Sequence, residues 1–156
     1  MEKSETPQNQ LREAEEFLRA QIPLTRAMGV RVVANDQDEF TIEAPVALNS
    51  NHLGTAFGGS INAVATLAGY GLLWLEIRDT AADIVIRESS IRFLHPILTT
   101  IRAICARPAE MNLHAFRESL RSKGKARITL HVRMDEDGRT AAELQGTFVA
   151  LRRVPR

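Results

Sequence analysis

The chain has 156 residues, of which 44% are hydrophobic and 25% charged, a balance typical of one globular domain with a sizeable core. The 20 basic and 19 acidic residues leave a net charge of +1, and one Trp and one Tyr offer few rings for base stacking, so no nucleic-acid partner is expected. A single cysteine, Cys105, excludes an internal disulfide, and the polar first ten residues lack the form of a secretory signal. We therefore expect a reduced, cytoplasmic setting in which Cys105 fills the core.

The first part of the chain predicts a helix followed by a hairpin. The helix is expected over residues 1–21, because Thr6 offers a hydroxyl cap, a proline follows it, and apolar residues then recur at helical spacing. Residues 22–30 are interpreted as a connector. Two strands, at 30–33 and 40–44, flank a run of turn-forming Asn and Asp residues and are expected to pair.

Residues 51–77 contain the longest apolar segment of the chain. The segment opens with a glycine-rich stretch, residues 51–59, called the glycine loop below; its glycines allow a close approach of the backbone to another group. From Ser60 onward apolar residues fall on nearly every face, which predicts a helix buried on all sides. Three polar residues spaced four apart form one seam along it: Asn62, Thr66 and Tyr70.

The free N–H groups at the start of this helix could bind an anion or a polarised carbonyl. Two plainer interpretations of the segment are the alternatives to such a binding site. Its length and hydrophobicity also suit a transmembrane span, although Gly69, Gly71 and Glu76 interrupt it and no aromatic belt flanks it. We therefore expect no membrane partner. Alternatively, the glycines permit close packing only, with no ligand.

The second half of the chain predicts four strands and a short helix. An extended run over 84–95 ends before Pro96, and a strand follows at 100–106. Leu113, Phe116 and Leu120 predict a short helix with Asn112 as its cap. Two alternating strands around the DEDGR turn predict a second hairpin, and residues 152–156 are expected to fray.

Together these elements predict one α+β domain over residues 1–156. Because one helix is apolar on all sides, about six mostly antiparallel strands are expected to curve around it.

The order of elements and the motif NHLGTAFGGS resemble the hotdog fold, a curved antiparallel sheet wrapped around one long helix. The spacing N-x-x-G-x-x-F-G-G over 51–59 is similar to the signature of hotdog acyl-CoA thioesterases such as the phenylacetate-pathway group, in which His stands at the position of Phe57. G-T-x-F-G-G-S over 54–60 resembles the thioesterase domain at the C-terminus of YiiD-type acetyltransferases more closely. SIRFLHP over 90–96 resembles another hotdog strand, and the resemblance covers about 22–151.

The resemblance implies a thioester site at the start of the central helix. Gly59, with Ser60, would donate to the thioester oxygen as an oxyanion site. The catalytic carboxylate of the resembled enzymes falls at Thr66, which cannot act as a base and is expected to position water or substrate. Asn51 would orient water or the carbonyl, or else shape the loop as an Asx-turn. Further substrate contacts are expected at Phe57, Gly58, Asn62 and Tyr70.

The histidines show no metal-ligand spacing, and neither a metal nor a redox cofactor is implied. His52, beside Asn51, is the most attractive spare base, although a loop histidine is more often only exposed. We interpret His95 as a strand-end residue, and His114 and His131 as surface residues.

A basic cluster follows the second helix. It comprises Arg117, Arg121, Lys123, Lys125 and Arg127. Such runs usually form a solvated face. The alternative is that Arg121, Lys123 and Lys125 bind the phosphates of coenzyme A or of a carrier-protein arm.

The sequence therefore predicts a thioesterase that hydrolyses an acyl-CoA or acyl-carrier thioester, with coenzyme A present only as part of the substrate. A non-catalytic acyl-CoA binding module and a hotdog hydratase or dehydratase are the alternatives. Because an open sheet leaves exposed edges and hotdog domains pair edge to edge, we expect a homodimer or tetramer.

Overall fold

A computed structural model describes residues 6–154, which form four α-helices, one short 3-10 turn and six strands. In chain order these are α1 (Pro7–Gln21), α2 (Leu24–Met28), β1 (Arg31–Asn35), β2 (Glu39–Pro45), the 3-10 turn (Val46–Leu48), α3 (Gly58–Ile77), β3 (Ala82–Phe93), β4 (Thr100–Ala106), α4 (Glu110–Lys123), β5 (Lys125–Glu136) and β6 (Arg139–Arg152).

The six strands form one antiparallel sheet in the order β1-β2-β4-β5-β6-β3. Both predicted hairpins, β1-β2 and β5-β6, are present. Among the strands that the structure describes, β3 pairs with β6 alone, so its other side is an open edge of this sheet. The predicted α+β fold, with about six strands around a long central helix, is confirmed.

The central helix α3 packs against strands β2 to β6. Two of its glycines permit this approach: a Cβ at Gly69 would lie 2.6 Å from the ring of Phe148, and one at Gly71 would lie 2.8 Å from that of Phe40. α3 is long and apolar enough to cross a membrane, and half of that stretch is buried within the fold. Its position against the sheet therefore accounts for its apolar composition.

The helix α1 packs on β1 and α3. The ring of Phe17 stacks on that of Trp74 at a centroid distance of 4.4 Å and lies 6.1 Å from the ring of Tyr70. Arg78 lies over the Trp74 ring, 5.3 Å from its centroid, and forms an ion pair of 2.9 Å with Glu13. α1 thus holds the C-terminal half of α3.

The C-terminal end of α3 also carries a charged cluster. Glu76 accepts from both Arg107, which follows β4, and Arg117 of α4, the latter at 2.8 Å. Arg107 further donates to Asn35 and to the carbonyl oxygen of Asp36. Burial lowers the pKa of Arg107. This cluster joins α3, α4, β4 and the β1-β2 turn.

Several predicted details are wrong. The stretch 22–30 contains the short helix α2, which ends at Gly29 in the left-handed conformation (φ 68°). α4 begins at Glu110 with Ala109 at its cap, so Asn112 lies inside the first turn.

Cys105 is buried as expected, and burial raises its pKa to about 12.

The predicted frayed tail begins too early. Arg152 is the last residue of β6 and pairs with Ala82, and the amide of Arg153 donates to the carbonyl of Ala81 at 2.8 Å. Residues 155 and 156 of the predicted tail, and residues 1–5 of the predicted first helix, lie outside the described residues.

Candidate active site at the start of the central helix

The glycine loop is held together by the side chain of Asn51. Its Oδ1 accepts from the amides of Leu53 at 2.8 Å and Thr55 at 3.2 Å, and its Nδ2 donates to Thr55 Oγ1 at 2.8 Å. Gly54 adopts a left-handed φ of 75°, which a residue with a side chain rarely adopts. Asn51 therefore forms an Asx-turn, and its amide group is occupied within the loop.

Backbone hydrogen bonds fix the point at which α3 begins. The amide of Ala56 donates to Ile97 O, and that of Phe57 donates to Asn49 O, both at 2.8 Å. Ile61 is the first residue of α3 whose amide donates to the helix start, and its acceptor is Phe57 O at 3.0 Å. No side chain of residues 6–154 caps the helix at Phe57.

The amides of Gly58, Gly59 and Ser60 consequently have no hydrogen-bond partner within residues 6–154. These are the free donors that an uncapped helix start presents. Their partial positive charge adds to that of the helix dipole. The arrangement suits an oxygen on which negative charge develops.

Two aromatic rings flank the glycine pair. A Cβ on Gly59 would come within 2.5 Å of the Phe57 ring, whereas one on Gly58 would lie 3.4 Å from the Phe93 ring. The residues Phe57 and Phe93 are 55% and 54% exposed, respectively. Glycine at position 59 thus lets Phe57 lie against the start of the helix, while position 58 has room for a methyl group.

The polar seam of α3 runs away from these amides. The hydroxyl of Thr66 donates to Asn62 O at 2.9 Å and lies 3.4 Å from Asn62 Oδ1. At the far end of the seam, burial and the nearby Asp83 raise the pKa of Tyr70. All three seam residues are half-buried. The Thr66 proton is therefore used within the helix, and its oxygen can still accept a hydrogen bond from water.

A cavity of about 350 Å³ lies beside Gly58. Its walls come from the end of the glycine loop, the first turn of α3 and the segment after β3: Thr55, Ala56, Gly58, Ile61, Phe93, Leu94, His95, Pro96 and Ile97. Sequence reasoning missed Phe93 and His95 as residues of this site. The only signal was their place in the SIRFLHP run, because nothing local shows that this run folds against the helix start.

His52 does not belong to this cavity. It is exposed at the tip of the glycine loop. His114 is exposed on α4, and His131 lies on the face of the sheet opposite α3. There it lines a more polar cavity of about 410 Å³ together with Arg92, Arg133 and Glu143. In the described part of the chain no group of three His, Cys, Asp or Glu residues is arranged to hold a metal ion.

The basic cluster lies at the opposite end of α3 from the glycine loop. Asp79, just after α3, pairs with Arg152 at 2.9 Å, and Arg152 also donates to the carbonyl of Arg121 at 3.5 Å. Since α3 has 20 residues, its two ends are about 30 Å apart. Within one chain the structure does not bring the basic cluster to the free amides.

The members of the basic cluster also differ from one another. Arg117 forms an ion pair with Glu76, and Arg121 pairs with Glu118 on its own helix. Lys123 and Lys125 are exposed and have no ion-pair partner among the residues that the structure describes.

The sheet wrapped around α3, with free amides at the helix start, defines a hotdog protein, and solved structures share this fold. A protein of unknown function from Chlorobaculum tepidum is 28% identical, with a TM-score of 0.87 over 95% of this chain and 98% of that one. A structure named as a putative thioesterase from Shewanella oneidensis is 27% identical, with a TM-score of 0.80 over 92% and 99%. A probable thioesterase from Pseudomonas aeruginosa, 24% identical, has the same fold at a TM-score of 0.77 over 91% and 95%.

The sequence profile of the family "Putative thioesterase (yiiD_Cterm)" matches residues 11–152. The chain therefore belongs to this family, as the GTAFGGS motif of residues 54–60 indicated.

Proposed function

We propose that the chain is a thioesterase that hydrolyses an acyl-CoA or acyl-carrier thioester at the start of α3. The observation that carries the proposal is the set of three unpartnered amides, Gly58 to Ser60, beside a largely apolar cavity. A thioester needs both features, because its carbonyl oxygen gains negative charge during attack while its acyl group is apolar.

In the proposed reaction the thioester oxygen accepts hydrogen bonds from the amides of Gly59 and Ser60. Water attacks the carbonyl carbon, the tetrahedral oxyanion is held by the same amides, and the carbon–sulfur bond then breaks to give a carboxylic acid and a thiol. The rings of Phe57 and Phe93 flank this position and offer apolar surface to the substrate.

We assign positioning roles to two polar residues, Thr66 on α3 and Asn51 in the glycine loop. Thr66 donates its proton to Asn62 O, so its oxygen is available to accept from the attacking water. Asn51 acts through the shape of the loop, because its side chain holds Leu53 and Thr55. Tyr70, further along the seam, does not line the cavity beside Gly58.

We further infer that the complete site needs a second copy of the chain. β3 is twelve residues long, leaves one edge unpaired, and exposes Val85 and Ile86. Such an edge is a template for pairing with another strand. Antiparallel pairing of two β3 edges would set the start of one strand beside the end of the other, where Phe93 flanks the glycine pair.

This pairing supports a role for the basic cluster. Because Arg121, Lys123 and Lys125 lie near the start of β3, those of the second copy would approach the glycine loop of the first. Phosphates of a bound coenzyme A or carrier arm would then be recognised across the dimer.

A non-catalytic acyl-CoA binding module is the second candidate. The observation that favours it is Thr66, because it occupies the position of the carboxylate in the resembled thioesterases and its proton is bonded to its own helix.

A panel of acyl-CoA esters, with release of free thiol as the readout and calorimetric binding measured in parallel, separates the two functions. Turnover of at least one ester supports the thioesterase. Binding of an ester without any thiol release would replace it by the binding module, and neither binding nor release would contradict both.

A further inference from the structure

The cavity beside Gly58 contains one titratable side chain. Of its nine lining residues, eight are Thr, Ala, Gly, Ile, Phe, Leu or Pro, and the ninth is His95. The backbone places this residue firmly, because the amides of Leu94 and His95 both donate to the carbonyl of Ala141, at 2.8 and 3.0 Å. His95, which is exposed, thus has a fixed backbone at the open wall of the space in which the acyl group would lie.

The proposed hydrolysis needs a proton acceptor, and the other polar residues near the helix start do not provide one. Thr66 is not basic at neutral pH and already donates to Asn62 O. Asn51 is an amide engaged within the glycine loop. Cys105 is buried in the core, and its raised pKa of about 12 keeps the thiol protonated.

The charged groups on the elements around His95 leave the cavity free of carboxylates. On β3 and β6, Arg92 and Glu143 are cross-strand neighbours that line the cavity on the opposite face of the sheet. At the end of β5, Glu136 accepts from the amides of Leu98 and Thr99 at 2.9 and 3.0 Å. α3 contributes Gly58 and Ile61 to the cavity, neither of which carries charge. The residues that line the cavity therefore include no carboxylate, and His95 is the one imidazole among them.

We propose that His95 is the general base of this site. The inference rests on the proposed thioesterase function. His95 takes a proton from the attacking water, and the resulting hydroxide oxygen forms a bond to the thioester carbon. When the carbon–sulfur bond breaks, the imidazolium returns that proton to the departing thiolate, so that one water yields a carboxylic acid and a thiol with no other reactant.

The test compares four variants of the full chain on the best acyl-CoA ester of the panel: His95→Gln, His95→Ala, His52→Gln and His114→Gln. The expected result is a loss in kcat of about 100-fold or more for both His95 variants, with KM little changed, because a general base contributes 10²–10⁴-fold. The kcat/KM of the unaltered protein should fall at acid pH, and this fall should vanish in His95→Gln. His114, exposed on α4, serves as the matched control with unchanged kinetics.

Added imidazole should restore part of the activity of His95→Ala, which a merely structural role of His95 would not allow. Circular dichroism checks that both His95 variants fold. If His95→Ala does not fold, His95→Gln still tests the proposal, because glutamine keeps most of the side-chain volume. Full kcat with an unchanged pH profile in His95→Gln would overturn the proposal. The proposal would also be overturned if the fall in kcat/KM at acid pH vanished in His52→Gln and not in His95→Gln. If the unaltered protein hydrolyses no ester of the panel, the thioesterase function itself fails.

Discussion

The two ends of α3 are built in opposite ways. At its C-terminal end, Glu76 joins two arginines, and Phe17, Trp74 and Arg78 stack on one another. At its N-terminal end, backbone bonds hold the loop, but three amides have no partner in the described chain and two aromatic rings are half exposed. One end of this helix thus stabilises the fold, whereas the other retains free donors and apolar surface that a ligand can use.

The largest expected effect concerns the C-terminal end. In Glu76→Gln the guanidinium of Arg107, only 14% exposed, would lose its carboxylate partner. Because a largely buried charge is left unpaired, we expect a loss of about 3 kcal/mol in the free energy of unfolding. Urea denaturation measures this loss, and activity per folded molecule should stay unchanged.

Glu110→Gln is the matched control for Glu76→Gln. Glu110 also pairs with Arg117, but its side chain is 76% exposed. A loss below about 1 kcal/mol is expected. Equal losses in the free energy of unfolding for the two variants would show that burial of the Glu76 ion pairs adds no stability at the C-terminal end of α3.

The next effect concerns the N-terminal end. A methyl group at Gly59 would collide with the Phe57 ring, whereas one at Gly58 has ordinary contact with Phe93. We therefore expect Gly59→Ala to lower kcat/KM about 10- to 100-fold, since displaced oxyanion donors cost up to 10²–10³ in rate. Gly58→Ala is the control and should retain most activity. The reverse order of the two variants would contradict the assignment of Gly59 as the principal donor.

A smaller effect is expected for Thr66→Val, which removes the hydroxyl with little change of shape. If the Thr66 oxygen holds the attacking water, kcat should fall about tenfold, equivalent to about 1.4 kcal/mol. Thr66→Ser keeps the hydroxyl and should keep the rate. Full turnover in Thr66→Val would leave Thr66 as a residue bonded only to its own helix.

The smallest effect concerns the basic cluster. Replacing Arg121, Lys123 and Lys125 together by alanine should raise the KM for a CoA ester severalfold at low salt, and the difference should shrink at high salt because counter-ions screen the phosphates. Sedimentation equilibrium of the unaltered protein should show a dimer or a larger species. A monomer would contradict the proposed recognition of phosphates across two copies. A difference in KM that does not depend on salt would contradict it as well.

The fold was predictable because its local patterns are strong. Alternation marked β5 and β6, and the apolar segment marked α3, although the helix starts at Gly58 rather than at Ser60. Sheet order was beyond such reasoning, since β3 pairs with β6 about fifty residues later in the chain. α2 was missed because its five residues are too few for a periodic pattern.

The candidate site was predictable only where it is contiguous in sequence. The motif over 51–59 located the free amides, whereas the bond from Ala56 to Ile97 O, which brings the segment of His95 to the same cavity, joins residues about forty apart. The same limit applies to the basic cluster, because its distance from the glycine loop follows from the direction of α3 across the sheet.

The most direct measurement is a crystal structure with an acyl-CoA analogue in which the thioester sulfur is replaced by a methylene group and the carbonyl is kept. We expect the carbonyl oxygen about 2.7–3.1 Å from the amide nitrogen of Gly59, with the acyl group in the cavity between Phe93 and His95. An analogue bound in the cavity on the opposite face of the sheet, with the amides of Gly58 to Ser60 still free of it, would contradict a thioester site at the start of α3.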